Sequence, residues 1–436
     1  MRKKVFVAKS SPKYLFGLLI LIPIALYYFT VFLFAVNVPL SDDFPAVLGF
    51  LGSFLSAAGI SEKLRLLFFQ HNEHRIVVNK LLTLALYKIT GVIDFKLLIY
   101  LGNLLLLPAV YGVYLSFKKN KDKVKYFLPA VLIIMVPQFT GSIFWATSAL
   151  QNLSCLAFSI LTLALLRKEG VFRSIYAFFL ALLAVLSSGN GLFILPAAII
   201  LLMLGKRKLA AIWWSVGALL MLLGYFYGYA QPAHEGIYYA GNPLAVVEFF
   251  FCFIGSPVVL NVFYMKSLFG NNAKLLMLLL SGVLGAGVIT YFIYLAKKKY
   301  YKVNPVIFTM FILLFISAFA AAVTRSGIGP MQAFASRYRL IPLFILALVY
   351  LSFIEMSKEK VTGKYYKYIV MLAVVFFVFS YISNLPAIKA GKENLLLGIT
   401  GWQKDGTGLD RLNDHPVYAD KQLKESVEKG IYNPEK

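Results

Sequence analysis

The feature that most constrains this chain is a series of apolar runs separated by short polar loops. Many of these runs reach roughly 18 residues, enough to cross the ~30 Å hydrocarbon layer of a membrane as a helix. Because lipid offers the backbone no hydrogen-bond partner, such runs must be helical. Hydrophobic residues make up 60% of the sequence and charged residues only 14%, which excludes an ordinary soluble domain. The sequence therefore predicts an all-α, polytopic membrane protein.

The basic residues give these runs an orientation. The net charge of +24 would point to a nucleic-acid partner in a soluble protein. Here the lysines and arginines lie between apolar runs, so they indicate cytoplasmic loops beside anionic lipid head groups and no nucleic-acid partner. Met1–Lys13 is basic and precedes an apolar run that has no cleavage site. We therefore expect a retained first span, with the amino terminus in the cytoplasm and the carboxyl terminus outside.

The same charge rule predicts the number of spans. Alternating the basic loops with the outer loops gives about 11 transmembrane helices, within a range of about 11–13. The higher count would require Ile76–Thr90 and Pro243–Tyr264 to cross as well. Three basic clusters would then lie on the wrong side of the membrane, so about 11 is the favoured number.

The chain divides into a transmembrane domain, residues 1–385, and a short polar tail on the outer side, residues 386–436. Within the transmembrane domain, residues 37–94 form an outer loop with apolar stretches that suit helices lying at the membrane interface. Residues 243–264 are broken at Gly255-Ser256-Pro257, where a helix stops or kinks. This segment is therefore expected to be a re-entrant or interfacial hairpin.

Two adjacent carboxylates, Asp42 and Asp43, directly follow the first span. A carboxylate held near an apolar boundary with cationic neighbours serves as a general base toward a hydroxyl. The alternative is that the pair only forms a polar cap at the helix end. Two neighbouring carboxylates are also able to hold a divalent cation, but no ligand spacing here requires one.

A second polar cluster follows in the same loop, at His71, Glu73, His74 and Arg75. These side chains suit binding of a phosphate or positioning of an acceptor, although a solvated polar loop explains them as well. If this segment is helical, His71 and His74 share one face. A zinc site would lack a third ligand at a characteristic spacing.

Three arginines, Arg325, Arg337 and Arg339, flank a glycine-containing loop late in the chain. Guanidinium groups beside a flexible turn at the membrane surface suit a lipid phosphate or diphosphate; plain anchoring to head groups is the alternative. Trp145 is an aromatic residue on the same side. It either stacks on a sugar face or belongs to the interfacial aromatic belt.

Several function classes are disfavoured. The chain has no Gly-x-Ser-x-Gly motif and no glycine-rich phosphate loop, which argues against a nucleotide-dependent enzyme. Ionisable residues are scarce within the spans, which argues against a transporter or a flippase of a lipid-linked glycan. A glycan polymerase or ligase with a lipid diphosphate donor remains an alternative, since it would use the outer arginines but give no role to the Asp pair.

Taken together, the acidic pair after the first span, the interfacial first outer loop and the span count resemble the GT-C glycosyltransferases over about residues 1–385. More locally, the chain is similar to bacterial O-antigen-modifying, serotype-converting glucosyltransferases. The stretches that carry this resemblance are His71-Asn72-Glu73-His74-Arg75, Trp145–Asn152, Ser188-Gly189-Asn190-Gly191, Gly255-Ser256-Pro257 and Ser336-Arg337-Tyr338.

The resemblance implies a GT-C-like fold in the bacterial inner membrane and a periplasmic active site. It implies transfer of a sugar, with glucose the first choice, from a polyprenyl-phosphate donor such as undecaprenyl phosphate to a cell-surface glycan such as the O-antigen of lipopolysaccharide. No cofactor or metal is required, and a donor synthase and a donor flippase would work alongside. The chain lacks a large domain after its last span, which favours a glycan acceptor over a protein one.

The resemblance also implies residue roles. One carboxylate of the Asp pair would be the catalytic base. The donor phosphate would bind to Arg75, Arg325, Arg337 and Arg339. The substrate would contact His71, Glu73, His74, Trp145 and Asn190.

Overall fold

The computed structural model describes residues 12–119, 122–230 and 241–434, so most of the basic segment Met1–Lys13 lies outside the described residues. Within these ranges the chain forms α-helices and short 3₁₀ or π turns, and it has no β-strand. The α-helices are α1 (Pro12–Phe34), α2 (Phe50–Ser56), α3 (Ile60–Phe68), α4 (Val77–Thr90), α5 (Phe95–Leu104), α6 (Leu106–Ser116), α7 (Lys123–Ile134), α8 (Thr140–Ile143), α9 (Ala146–Leu166), α10 (Val171–Val185), α11 (Ile194–Leu204), α12 (Lys208–Phe226), α13 (Pro243–Gly255), α14 (Val262–Phe269), α15 (Ala273–Lys297), α16 (Tyr300–Val303), α17 (Pro305–Arg325), α18 (Leu340–Met356), α19 (Glu359–Asp405) and α20 (Pro416–Glu428).

Eight helical stretches among the described residues are long and apolar enough to cross a membrane. This confirms the prediction of an all-α, polytopic membrane protein. The stretches are Leu15–Phe34, Phe95–Ser116, Lys123–Ile143, Ala146–Leu166, Lys208–Phe226, Val262–Lys297, Pro305–Ile328 and Gly363–Asp405.

The sequence predicts spans at residues 14–35, 95–117, 126–144, 148–166, 210–229, 275–295, 305–323 and 368–383, and these eight stretches overlap them. The remaining predicted spans correspond to shorter apolar helices, Val171–Val185, Gly189–Leu204 and Leu340–Met356. The segment Ile76–Thr90, assigned to the interface from its sequence, forms the 14-residue helix α4. The total of about 11 spans stays a prediction.

The helices differ in what they pack against. Helices α7, α9, α17 and α18 are largely buried, while α1, α12, α15 and α19 expose rows of apolar side chains. Leu18, Trp213 and Val283 are exposed by 62%, 69% and 73% of their surface. Apolar faces of this extent are disfavoured in water and match lipid. The structure therefore has a protein-packed centre surrounded by lipid-facing helices.

Helix α13 ends at Gly255, within the Gly-Ser-Pro sequence, and packs closely on α15. A β-carbon at Gly255 would overlap the carbonyl oxygen of Ser281, and one at Gly285 would overlap the carbonyl oxygen of Phe251. The pairing of 251 with 285 and of 255 with 281 makes the two helices antiparallel. Glycines allow this approach of two backbones because they have no side chain.

The contact predicts a clear response to Gly285→Ala. Because the added methyl group would collide with backbone atoms of α13, we expect a loss of about 1–3 kcal/mol in unfolding free energy, measured by thermal unfolding in detergent. Gly287→Ala is the matched control, since Gly287 lies on the same helix with nothing within 4 Å of its β-position. Equal stability of the two variants would contradict the close packing.

Helix α19 is 47 residues long, so at ~1.5 Å per residue it extends for about 70 Å. That is more than twice the ~30 Å of the hydrocarbon layer. The last spanning helix therefore continues into the polar region that begins at residue 386. Pro386 lies inside this helix, and Lys392 donates a 2.8 Å hydrogen bond to the carbonyl of Leu33 at the end of α1.

Candidate functional site

The polar cluster of this protein consists of Asp42, His71, Glu73, His74, Arg325 and Arg337, which the fold gathers from three parts of the chain. His71 Nε2 lies 3.6 Å from Asp42 Oδ1. Glu73 forms an ion pair with Arg325 at the end of α17. Asp42 from the acidic pair thus contacts His71 from the second polar cluster. The ion pair of Glu73 with Arg325 joins two distant segments of the chain.

The local backbone explains how the histidines are arranged. His71 and His74 exchange two backbone hydrogen bonds, of 2.7 and 2.9 Å, which close a tight turn. Asn72 in this turn has a φ of 49°, and its side chain donates to Asp42 Oδ1 at 3.4 Å. The condition under which His71 and His74 would share a helical face is therefore not met, because the segment is a turn and not a helix.

Asp42 is half-exposed, with 35% of its side chain accessible. Burial raises the pKa of Asp42, but the interaction with the His71 ring 3.6 Å away, the amide of Asn72 and the charge of Arg337 outweigh it, so the pKa lies below its ordinary value. The carboxylate is therefore ionised at neutral pH while part of it remains accessible. An ionised and accessible carboxylate is able to take a proton from a hydroxyl, although its lowered pKa makes it a weaker base than an unperturbed carboxylate.

Asp43 has a different environment from its neighbour. It is 1% exposed, and its Oδ1 accepts from the Thr147 N–H at 2.8 Å and from the Thr147 hydroxyl at 2.5 Å. Its Oδ2 accepts from the Leu40 N–H at 3.0 Å. Burial raises the pKa of Asp43 to about 7, although the bonds from Thr147 and Leu40 act in the opposite direction. Asp43 thus connects the loop after α1 to the start of α9.

The contacts of Asp43 predict that Asp43→Asn destabilises the fold. An asparagine would keep the bonds to Thr147 but turn its NH₂ group toward the Leu40 N–H, leaving two buried donors facing each other. We expect a loss of about 1–3 kcal/mol in unfolding free energy. Thermal unfolding of Asp43→Asn is compared with that of Asp42→Asn. The side chain at position 42 is partly open to solvent, so this control should not be destabilised in the same way. A wild-type melting temperature for Asp43→Asn would contradict this role.

His74 is positioned by the turn that precedes α11. Its Nδ1 accepts from the Gly189 N–H at 3.2 Å, so the neutral ring carries its proton on Nε2, which lies 3.9 Å from Glu73 Oε1. Burial lowers the pKa of His74 against the opposite effect of Glu73. Asn190 follows Gly189 in this turn and is half-buried. The turn therefore brings the predicted substrate residue Asn190 close to the polar cluster.

Two of the four predicted phosphate-binding arginines, Arg75 and Arg339, are buried. The Arg75 guanidinium donates to the carbonyls of Phe68, of Tyr225 at 2.6 Å and of Tyr227 at 2.5 Å. Arg339 donates to the carbonyls of Phe334 at 3.2 Å and of Leu260 at 2.6 Å. Their donors are engaged by the backbone, so both residues connect segments of the fold. The structure does not bring their guanidinium groups into the polar cluster.

Arg325 and Arg337 have different surroundings from the buried pair. Arg325 is 18% exposed and is paired with Glu73. The guanidinium of Arg337 stacks 5.1 Å from the ring centroid of Tyr338 and lies close enough to lower the pKa of Asp42. Within the described ranges, no carboxylate lies within 4 Å of Arg337. Arg337 is thus the cation of the cluster with free binding capacity.

Trp145 precedes α9, the helix that also carries polar residues not identified from the sequence. Its indole N–H is buried and has no hydrogen-bond partner among the residues described. Gln151 donates to the Ser188 hydroxyl at 3.2 Å, and Asn152 donates to the hydroxyls of Ser142 at 3.1 Å and Ser148 at 3.0 Å. Polar residues at 147, 148, 151 and 152 share one helical face in an otherwise apolar run, a signal that would have identified them.

A metal site would need several His, Cys, Asp or Glu side chains around one point. In the described part of the chain, no three His, Cys, Asp or Glu side chains converge in a way that would hold a metal ion.

Compared with known proteins, the chain matches no protein-family model, no curated protein and no solved structure. The case for a function therefore depends on the chemistry of the polar cluster and of its membrane-embedded setting.

Proposed function

We propose that this protein is a membrane glycosyltransferase that moves a sugar from a polyprenyl-phosphate donor to a cell-surface glycan at the periplasmic face. The observation that supports it best is the partly exposed carboxylate of Asp42, which lies 3.6 Å from His71 and near enough to Arg337 for that charge to lower its pKa. A base beside a cation with free binding capacity suits a reaction that deprotonates a hydroxyl and releases a phosphate.

The proposed reaction assigns one task to each side. Asp42 accepts the proton of the acceptor hydroxyl as its oxygen bonds to the anomeric carbon of the sugar. The bond from that carbon to the phosphate oxygen breaks, and its electron pair leaves with the polyprenyl phosphate. Arg337 stabilises the negative charge that grows on this phosphate, because a guanidinium group pairs well with phosphate oxygens. Asp43 keeps the loop in place and takes no proton.

The remaining parts of the proposal come from the resemblance to the GT-C glycosyltransferases and from the charge rule for the spans. We propose a GT-C-like fold with about 11 spans, a cytoplasmic amino terminus and a periplasmic carboxyl terminus in a bacterial inner membrane. Undecaprenyl-phosphate glucose is the first donor to test, with O-antigen as the acceptor. A separate donor synthase and a donor flippase would supply the lipid, and the transfer itself would use no cofactor.

The test is sugar transfer by the purified protein in proteoliposomes, with radiolabelled sugar on either polyprenyl monophosphate or polyprenyl diphosphate. We expect transfer from the monophosphate alone. Transfer from the diphosphate alone would replace the proposal with the second candidate, a glycan polymerase or ligase, for which the two arginines Arg325 and Arg337 offer the specific support. Absence of transfer from a panel of sugars on both lipids would contradict a glycosyltransferase.

The pKa of Asp42 predicts a shifted pH profile in a His71→Leu variant. Loss of His71 removes an interaction that lowers this pKa, so burial, which raises it, is less opposed. Because the base must be ionised to act, the acid limb of kcat/KM should move to higher pH than in the wild type. His415→Leu, in the exposed tail, is the control and should leave the profile unchanged. An unshifted limb in His71→Leu would contradict the contact with Asp42.

A further inference from the structure

The carboxyl-terminal segment returns to the loop that carries Asp42. The Ser41 N–H donates to the Leu412 carbonyl at 2.8 Å. The side-chain NH₂ of Asn413 donates to the Ser41 carbonyl at 3.0 Å. Both backbone polar groups of the residue before Asp42 are therefore bound by two residues that lie more than 370 positions away in the sequence.

These bonds act on a residue with an unusual conformation. Ser41 has a φ of 49°, in the left-handed region that non-glycine residues seldom adopt. Such a conformation persists only where surrounding contacts enforce it. The backbone turns at Ser41 so that the next residue, Asp42, faces His71. The contacts from Leu412 and Asn413 therefore bear on the direction of the Asp42 carboxylate.

The tail also binds both ends of the loop over residues 37–94, at Asn37 and at Ile93. The Tyr432 hydroxyl donates to the Asn37 carbonyl at 2.8 Å, and the Asn37 side chain donates to the Asn433 carbonyl at 3.3 Å. The Ile93 N–H donates to the Ile431 carbonyl at 2.7 Å. The link between α1 and Asp42 is thus bound by the tail at two separate points.

We propose that Asn413 is a positioning residue for Asp42, and that Leu412, Asn413 and residues 431–433 brace the loop that carries the base. This inference rests on the proposed function, since it assigns the brace a role in the transfer reaction. The brace holds the carboxylate where it meets the acceptor hydroxyl. A misplacement by about 1 Å costs ~100-fold in rate in comparable cases.

The side chain of Asn413 allows a precise variant. Its Oδ1 accepts from the His415 N–H at 2.8 Å, which fixes the amide with its NH₂ group toward Ser41. Asn413→Asp keeps the shape and the bond from His415, but it places a carboxylate oxygen against the Ser41 carbonyl. Asn413→Ala removes the donor without adding charge. Arg411→Gln is the control, because Arg411 binds Asn394 within the tail at 2.7 Å.

The experiment combines transfer kinetics with hydrogen–deuterium exchange of peptides covering residues 37–50. In Asn413→Asp and Asn413→Ala we expect exchange to accelerate in this loop. We also expect kcat to fall ~10–100-fold while KM for the polyprenyl-phosphate donor stays within about twofold, since Arg325 and Arg337 lie on another segment. The acid limb of the pH profile should move as the Asp42 environment changes. Arg411→Gln should match the wild type in every readout.

The outcomes separate this inference from the function on which it rests. Unchanged exchange at residues 37–50 in both Asn413 variants would overturn the brace, whether or not the wild type transfers sugar. Faster exchange with unchanged kcat and pH profile would overturn the positioning role. A wild type that transfers no sugar would refute the proposed function, and with it the role of Asn413 in transfer, while the exchange data still decide the brace.

Discussion

An Asp42→Asn variant should fold like the wild type and transfer sugar ~10²–10⁴-fold more slowly, the range that a general base contributes. The substitution keeps the size of the side chain and its carbonyl oxygen, so Asn72 retains an acceptor. The partly exposed site tolerates the amide, and we expect the unfolding free energy to change by no more than about 0.5 kcal/mol. What is lost is the capacity to take a proton from the acceptor.

The kinetic pattern distinguishes this role from binding. Because Asp42 acts on the acceptor hydroxyl in the transition state, kcat should fall while KM for the donor changes little. Asp43→Asn is the comparison at the neighbouring residue. We expect this variant to yield less folded protein, while the protein that does fold keeps the wild-type kcat. A kcat for Asp42→Asn within about threefold of the wild type would contradict the assignment of the base.

An Arg337→Gln variant should lower kcat ~10²–10³-fold, the usual effect of removing one donor that stabilises transition-state charge. Arg337 has no carboxylate within 4 Å in the described structure, so the substitution leaves no buried charge unpaired. Arg337 stabilises the phosphate most strongly in the transition state, where negative charge grows on the leaving group. The loss of rate in Arg337→Gln should therefore appear mainly in kcat. Steady-state transfer from the polyprenyl-phosphate donor measures it.

Two further variants serve as comparisons for Arg337→Gln. Arg337→Lys should recover part of the rate, since lysine keeps the charge but not the planar, two-pronged geometry of the guanidinium group. Arg65→Gln, at an arginine that is 70% exposed on α3, should behave like the wild type. Equal rates for Arg337→Gln and Arg65→Gln would remove Arg337 from the site.

The sequence was sufficient to predict the fold class because lipid forces apolar runs into helices. It also singled out two residues that the fold brings together, since Asp42 and His71 lie within 4 Å of each other. It was not sufficient to separate Asp42 from Asp43. Adjacent residues differ in direction through the backbone, and the left-handed Ser41 that sets this direction depends on contacts with Leu412 and Asn413.

The four arginines show the same limit. In the sequence, Arg75, Arg325, Arg337 and Arg339 are equivalent cations near polar loops. The structure separates them by their partners, because backbone carbonyls from distant segments bind two of them and Glu73 binds a third. Carbonyl groups occur at every residue, so no sequence pattern indicates which arginine they will bind.

Composition alone predicts a short polar tail over residues 386–436. The structure continues α19 to Asp405, because the residues after Pro386 include good helix formers such as Lys392, Leu395 and Leu396, and a single proline removes only one backbone bond. The contacts of the tail with Asn37 and Ser41 depend on chain reversal at Gly406 and Gly408, whose φ values are 79° and 86°. A local pattern of sequence does not encode such long-range contacts.

The most direct test of the central claim is single-turnover transfer in proteoliposomes preloaded with a labelled polyprenyl-phosphate sugar, comparing the wild type with Asp42→Asn. Preloading separates the chemical step from donor binding. We expect equal amounts of bound donor and a transfer rate that is ~10²–10⁴-fold lower in the variant. Equal rates in the two proteins, or a folded wild type that binds the donor and transfers nothing to a glycan acceptor, would contradict it.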